Sequence, residues 1–246
     1  MDESKLVQLV NIRKSFNQVV ALESVSLDVA HNEVVGLVGD NGAGKSTLIK
    51  ILSGVFPPDE GEILWQGKKV AFASPHEAIL AGIETIYQET AVVDSMTVMR
   101  NIFMGREMVR RIGPMRWLDL KSMARESVKA LEMVELRLRS ATAVVGELSG
   151  GQRQGVAIAR AMHFKTRLLI LDEPTNNLSV KESKRILDFI VDLKKQGISS
   201  IFITHNLHHV YPIADRIVVL SRGVQVGVFR KDQTSVEDLE DLITLK

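Results

Sequence analysis

The sequence predicts an α/β fold with a mainly parallel sheet, flanking antiparallel β strands and an inserted helical subdomain. Three observations carry that expectation. Apolar runs without polar alternation lie at Glu33–Gly39, Leu168–Leu171 and Ser199–Ile203, the pattern of strands covered on both faces of a parallel sheet. The last two enclose Val180–Lys195, where Ile186, Phe189, Ile190 and Leu193 recur at helical spacing, so this segment reads as a βαβ crossover. The stretch from about Thr97 to His163, by contrast, has few β-like runs.

In chain order, Leu6–Ile12 and Ser24–Ala30 are short, partly alternating runs and read as antiparallel strands. Glu33–Gly39 is an apolar strand ending in glycine, and Ser46–Ser53 follows as a helix through Leu48, Ile49 and Leu52. In the middle stretch, Leu120, Met123, Ala124, Val128 and Leu131 form one helical stripe, expected to be a packing face. Val156, Ile158, Ala159 and Met162 mark another helix. Leu168–Leu171 stops at Asp172 and Glu173, Ser199–Ile203 stops at Thr204 and His205, and Gly197 ends the helix between them. Arg216–Ser221 and Val224–Phe229, parted at Arg222-Gly223, read as further antiparallel strands beside the core.

Composition narrows the function classes. The chain has 246 residues, 45% hydrophobic and 25% charged, with 31 basic against 30 acidic side chains and a formal net charge of +1. These values describe an ordinary globular protein and exclude disorder. Balanced charge without a long Lys/Arg run argues against a surface that holds nucleic acid by counterion release, so no nucleic-acid partner is expected. No segment approaches the roughly 18 apolar residues of a membrane span, and the polar start MDESKLVQ lacks secretory features. Cysteine is absent, which removes disulfides and thiolate metal sites and fits a cytosolic location.

Two segments carry phosphate chemistry. Gly39-Asp40-Asn41-Gly42-Ala43-Gly44-Lys45-Ser46 has the spacing of a P-loop. Glycines let backbone N–H groups converge on a polyphosphate, and the helix that begins here points its positive end at the anion. Gly39, Asn41, Gly42, Ala43, Gly44, Lys45, Ser46 and Thr47 are the candidate nucleotide cradle. Lys45 would reach the β- and γ-phosphates, and the Ser46 hydroxyl would ligate magnesium. Asp172 and Glu173 end an apolar strand, where open α/β sheets place ligands. An isolated Asp-Glu pair suits a solvated loop equally well. With the P-loop present, Asp172 becomes a candidate for hydrated magnesium and Glu173 for polarising the attacking water. His205, also at a strand end, is a candidate donor to the γ-phosphate. Leu148-Ser149-Gly150-Gly151-Gln152 precedes a helix and offers a second set of open backbone donors. Since one γ-phosphate does not need two such sites in one chain, the second is expected to serve another copy.

Together these motifs resemble the ATPase subunit of an ATP-binding cassette (ABC) transporter over nearly the whole chain. The order is P-loop, Gln88, LSGGQ, LLILDE and His205. The resemblance implies a P-loop NTPase (RecA-like) core, with ATP and Mg2+ as cofactors. It implies one ABC ATPase domain over 1–246, with a nucleotide-binding core and antiparallel β subdomain at 1–90 and 164–246 and a helical signature subdomain at 91–163. Phe16, in KSFNQVVAL, matches the aromatic that stacks on adenine, and Gln88, in IYQE, matches the glutamine that contacts magnesium and the attacking water. Catalytic roles then fall to Glu173, His205, Gln88 and Lys45, and metal contacts to Ser46, Gln88 and Asp172. Ser149, Gly150, Gly151 and Gln152 would close over ATP held by a second, head-to-tail copy.

SPHEAILAGIETIYQE and LSGGQRQGVAIARAM are similar to the bacterial sugar importers of the ribose, galactose and fructose group. That likeness implies a single-cassette importer ATPase on the inner face of the cell membrane. Its partners would be integral membrane permease subunits and, indirectly, an extracytoplasmic solute-binding protein, with Ala91 to Met104 as the permease-docking surface. The alternatives are a non-transport ABC ATPase acting on nucleic acid or ribosomes, and a low-turnover regulatory nucleotide-binding module. Two positions depart from the family pattern. Asn176-Asn177-Leu178-Ser179 replaces Ser-Ala-Leu-Asp, so a carboxylate expected to make a polar contact across the dimer is missing at Ser179, and Arg100 stands where glutamate is usual.

Overall fold

A computed structural model describes residues 5–87, 92–164, 166–176 and 178–244. It has the α/β architecture that the apolar runs predict. The chain opens with the antiparallel strands β1 (Lys5–Phe16) and β2 (Val19–Ala30), then β3 (Val34–Val38) and helix α1 (Lys45–Leu52). Next come β4 (Glu60–Trp65), β5 (Lys68–Val70), α2 (Pro75–Ala81) and β6 (Ile83–Ile86). The middle stretch holds α3 (Val98–Ile102), the strands β7 (Val109–Ile112) and β8 (Met115–Leu118), α4 (Leu120–Met133) and α5 (Gly150–His163). The chain then returns through β9 (Leu168–Asp172), α6 (Val180–Lys195), β10 (Ser199–Thr204) and α7 (Leu207–Val210). It finishes with β11 (Arg216–Ser221), β12 (Val224–Arg230) and α8 (Val236–Thr244).

The central sheet has the order β12-β11-β3-β10-β9-β6 and is parallel from β11 to β6, with β12 antiparallel at its edge. One face, through Val35, Leu37, Ile201, Ile203 and Leu220, packs with α1 against a second sheet of order β2-β1-β4-β5. The other face, through Val34, Val38, Leu169, Leu171 and Phe202, is covered by apolar residues of α5, α6, α7 and α8. Alternate residues of each strand thus enter different layers, which is why these strands carry no polar side.

Several elements depart from the sequence pattern for identifiable reasons. Arg216–Ser221 is not a flanking antiparallel strand. It pairs parallel with β3 and antiparallel with β12, and its four central residues are buried, so it belongs to the parallel core. The adjacent Arg222-Gly223 turn marks only its link to β12. Strands β1 and β2 run well beyond Leu6–Ile12 and Ser24–Ala30, because irregularities with positive φ at Asn11 (51°) and Ser24 (55°) interrupt the alternation. The helical stripe on α4 is rotated from the one expected. Met123, Ser127, Ala130 and Leu131 are buried while Leu120 and Val128 are exposed, and the Ser127 hydroxyl avoids a desolvation cost by donating to the Met123 carbonyl at 2.7 Å. The same stretch also contains the β7–β8 hairpin, which helical periodicity does not signal.

A separate apolar cluster of Val98, Met99, Ile102, Phe103, Met123, Leu131, Val156 and Ala159 unites α3, α4 and α5. Helix α5 serves two cores, since Ala157, Ile158, Ala161 and Met162 face the central sheet. Charge makes a further tie. Glu84 on β6 is 4% exposed and accepts from Arg106 Nη2 at 2.6 Å and Arg160 Nε at 3.0 Å, while the Arg106 guanidinium lies 4.3 Å from the Phe164 ring centre. Replacing Glu84 with alanine leaves two guanidinium groups at a buried site without this carboxylate. The expected loss is about 3–5 kcal/mol in urea unfolding, and a loss below about 1 kcal/mol would mean that water replaces the carboxylate at no great cost.

Candidate functional site

Strands β3, β9 and β10 are mutually parallel, so the segments after Val38, Leu171 and Thr204 emerge at one edge of the sheet. After β3 the chain turns at Gly39, which has φ 147°, and a Cβ there would lie 2.0 Å from the Leu220 carbonyl oxygen. Only glycine fits. Gly44 caps α1 at φ 99°, and a Cβ there would lie 2.7 Å from both the Ala21 carbonyl and Leu22. Gly42 has open space around its Cβ position, leaving that backbone approachable. Asp40, Asn41, Gly42 and Ser46 are exposed, Gly44 and Thr47 are half-buried, and Gly39, Ala43 and Lys45 are buried.

Lys45 folds back over the loop that precedes it. Its ammonium donates to the carbonyls of Gly39 at 2.6 Å and Asp40 at 2.9 Å. Burial pushes its pKa below the ordinary lysine value despite the nearby Glu173, Asp172 and Asp40 charges. Asp172 at the end of β9 is pushed up, first by burial and then by Glu173, against the pull of Lys45, Lys50 and a hydrogen bond from the Ser46 side chain. Ser46 and Asp172 therefore present adjacent hard oxygen donors, a set that suits Mg2+. Among the described residues no group of three or more His, Cys, Asp and Glu side chains forms a metal cluster. A cation held mainly by phosphate and water oxygens needs none.

Glu173 lies just past the strand with φ 51°. Its N–H donates to the Ile203 carbonyl at 2.9 Å, locking the turn onto β10. The carboxylate accepts from Thr204 Oγ1 at 3.1 Å and the His205 N–H at 3.1 Å, and it lies 2.8 Å from His205 Nδ1. Glu173 and His205 are thus one hydrogen-bonded unit, with the glutamate mostly buried and the imidazole exposed. Thr175 reinforces the segment by sharing a 2.9 Å hydrogen bond with His209 Nδ1 on α7.

Ser149 caps α5 in a reciprocal box: its hydroxyl accepts from the Gln152 N–H at 3.3 Å, and its own N–H donates to Gln152 Oε1 at 3.0 Å. Ser149 and Gly150 are exposed, while Gly151 and Gln152 are half-buried. Sequence reasoning missed Glu182. Ser179 and Glu182 form a second box at the start of α6, and Glu182 Oε1 also accepts from the Gly151 N–H at 3.3 Å. The Ser-x-x-Glu spacing signals the box, whereas the reach to Gly151 is visible only in three dimensions. A Cβ at Gly151 would lie 2.8 Å from Glu182 Oε1, so a side chain there would push the carboxylate aside.

Phe16 ends β1, is 43% exposed, and packs edge-on against Phe56 with ring centres 5.3 Å apart. Gln88, Ala91 and Asn177 lie outside the described residues, so Gln88 is not placed relative to this site. A concavity of about 660 Å³ lies between β1, β2 and β4 around Arg13, Glu23 and Glu60, and no P-loop residue lines it. The charged groups gather instead on an open edge.

The family model described as ABC transporter matches residues 22–176, spanning the P-loop, the α5 cap and the Asp172-Glu173 pair. The chain belongs to the ABC transporter family. The cassette is 44% identical to the xylose/arabinose import ATP-binding protein of Sulfolobus acidocaldarius, covering 98% of this chain and 94% of that protein. It is 39% identical to the fructose import ATP-binding protein of Rhizobium meliloti, covering 99% and 95%. A ribose import ATP-binding protein of Burkholderia thailandensis is 40% identical over 97% of this chain, which spans only 46% of that longer protein. Among solved structures, a nucleotide-free ATP-binding cassette from an ABC transporter superposes with TM-score 0.83 at 28% identity, covering 98% of this chain and 95% of that one. A dimeric post-hydrolysis cassette bound to ADP and Pi gives TM-score 0.77 at 26% identity, covering 92% and 98%.

The Asp172 shift sets a pH-dependent expectation for this cassette. A carboxyl group whose folded pKa lies above its unfolded value costs stability once ionised. The cost begins as pH rises through the ordinary aspartate range and is complete above the raised value. Asp172→Asn should therefore raise the melting temperature of the nucleotide-free protein at neutral pH. That gain should shrink as the pH is lowered into the aspartate range, and ATP turnover should fall by roughly 10²-fold or more. Calorimetry across pH with a phosphate-release assay checks both; a lower melting temperature at neutral pH would contradict the sign.

Proposed function

We propose that the cassette is the ATP-hydrolysing subunit of an importer of a small solute, a sugar by its kinship, and that it works as a head-to-tail pair beneath membrane permease subunits. The observation that carries the reading is the convergence of Lys45, the Ser46–Asp172 pair and the Glu173–His205 unit at one edge of the parallel sheet. Among the described residues no helix is long and apolar enough to cross a membrane, and the membrane path is assigned to the permease subunits. The extracytoplasmic solute-binding protein would meet the cassette only through the permease, and Val92 to Met104, with Ala91 before it, would receive the permease. The nucleotide-binding core would comprise 1–90 and 164–246 and the helical subdomain 91–163, a division favoured by the separate apolar cluster around Phe103.

Each chain group has a defined task. The P-loop N–H groups, together with Asn41 and Thr47, cradle the polyphosphate of ATP, with Phe16 offering its exposed ring to adenine. Lys45 exchanges its carbonyl partners for phosphate oxygens, a change favoured because those carbonyls carry only partial charge. Ser46 and Asp172 would hold Mg2+, with Gln88 as a further contact, and the ion would neutralise charge on the phosphates. Glu173 takes a proton from the attacking water. Its bonds to Thr204 and His205 hold the carboxylate in place. Because His205 Nδ1 faces Glu173, Nε2 is the nitrogen left to meet a phosphoryl oxygen. Ser149, Gly150, Gly151 and Gln152 present the α5 donors to ATP held by the other copy.

Glu173→Gln should bind ATP at parental affinity, lose about 10²-fold or more in turnover, and elute as a dimer with ATP and Mg2+ in gel filtration. A monomer at saturating ATP, in protein shown to bind nucleotide by an independent assay, overturns the paired arrangement. Ser149→Arg should keep the parental ATP affinity and lose turnover to a similar degree, since it blocks only the cap offered to the other copy. Turnover equal to the parent's would mean that each chain hydrolyses ATP alone.

A further inference from the structure

The β7–β8 hairpin has no role in the site described above. All eight of its strand residues are exposed. Its register pairs Val109 with Leu118, Arg110 with Trp117, Arg111 with Arg116, and Ile112 with Met115. Directly opposed residues share a face and successive residues alternate. One face therefore carries Arg110, Ile112, Met115 and Trp117, and the other carries Val109, Arg111, Arg116 and Leu118. Gly113, at φ 60°, opens the two-residue Gly113-Pro114 turn.

Two features make this hairpin unlike an ordinary solvated loop. Ile112, Met115 and Trp117 are 51%, 57% and 52% exposed and lie side by side, a costly surface to leave in water. Arg111 and Arg116 face each other directly across the strands, an arrangement that repels. Among the described residues none of Arg110, Arg111 and Arg116 joins an ion pair. The nearest acids in sequence, Glu107 and Asp119, flank the strands; Asp119 caps α4 through the Ser122 N–H and hydroxyl and also feels the Arg110 charge, which leaves Arg111 and Arg116 facing each other without an acid. The span Val109–Leu118 thus contains three arginines and no acid.

We infer that this hairpin docks edge-on into the anionic lipid headgroups of the membrane, Arg110 sharing the face of Trp117, Met115 and Ile112 at the headgroup boundary while Arg111 and Arg116 on the opposite face meet the surrounding phosphates. Charge complementarity favours lipid over permease loops, which carry an excess of lysine and arginine on the cytoplasmic side and would repel three arginines. Tryptophan, apolar at its body and polar at its N–H, is a residue of such boundaries. The near-neutral chain as a whole lacks the broad basic surface of a nucleic-acid binder. This inference rests on the reading of the cassette as a membrane-seated transport subunit.

The test uses the full chain without nucleotide, with phosphatidylcholine vesicles containing or lacking about one third phosphatidylglycerol. The chain has two tryptophans, and Trp65 is buried on β4, so a Trp65→Phe background isolates Trp117. Anionic vesicles should sediment the protein and shift Trp117 emission to the blue, and added salt should weaken both effects. Replacing Arg110, Arg111 and Arg116 together by glutamine should reduce binding at least tenfold while leaving basal ATP turnover and the melting temperature unchanged. Trp117→Ala should weaken binding with the arginines intact. Equal binding to neutral vesicles, no binding to either, parental binding by the folded triple variant, or a Trp117 shift produced by single-stranded DNA but not by anionic vesicles would each overturn the inference. ATP turnover on the same preparations separates its failure from failure of the transport reading.

Discussion

One edge of a parallel sheet gathers the charged groups. Because β3, β9 and β10 run the same way, Gly39, Asp172 with Glu173, and His205 leave the sheet together, although they are far apart in the chain. The Gly39 turn fixes how closely the first of these can approach β11, since a single added carbon would strike the Leu220 carbonyl. The Glu173 N–H bond to Ile203 fixes the second to the third. A charged arrangement held by strand ends inherits the rigidity of the sheet, which loops alone would not provide.

That rigidity holds charges that would otherwise separate. Asp172 and Glu173 repel each other, burial disfavours the Asp172 carboxylate, and burial also disfavours the Lys45 ammonium. Lys45 satisfies its ammonium with two loop carbonyls, and Asp172 takes a hydrogen bond from Ser46. An anion beside Lys45 and a cation beside Asp172 would relieve both strains together. The layered core supplies the stability against which this local cost is set.

The parts of this organisation that depend on local spacing are legible in the sequence. Gly39 to Ser46, the Ser149 cap, and the strand ends at Asp172 and His205 need only a few neighbouring residues to declare themselves. Features set by distant partners are less visible. Glu84 interrupts an apolar run and disguises β6, and only the convergence of Arg106 and Arg160 explains its burial. Ser127 interrupts the α4 stripe because its hydroxyl bonds back to its own helix, so the apolar periodicity points to the wrong face. Arg216–Ser221 sits beside an obvious turn, which conceals its parallel pairing with β3. The hairpin of β7 and β8 buries nothing, and burial is the signal on which strand recognition depends.

The segment after Glu173 departs from the family pattern at Ser179, and its contacts run to a carboxylate within the same chain. Ser179 lacks the carboxylate that the family pattern places there, yet as the cap of α6 it takes hold of one three residues later. Glu182 Oε2 accepts from the Ser179 hydroxyl at 2.7 Å and from its N–H at 3.1 Å, while Oε1 accepts from Gly151 at 3.3 Å. The bonds to Ser179 are the shorter ones, so the carboxylate travels with α6, and the long bond to Gly151 is the one that yields. A phosphate oxygen brought to the α5 cap would compete for that same N–H. The start of α6, which follows the Glu173 turn, and the α5 cap are therefore joined through a single carboxylate, and a stronger anion at Gly151 would loosen that joint from one side only.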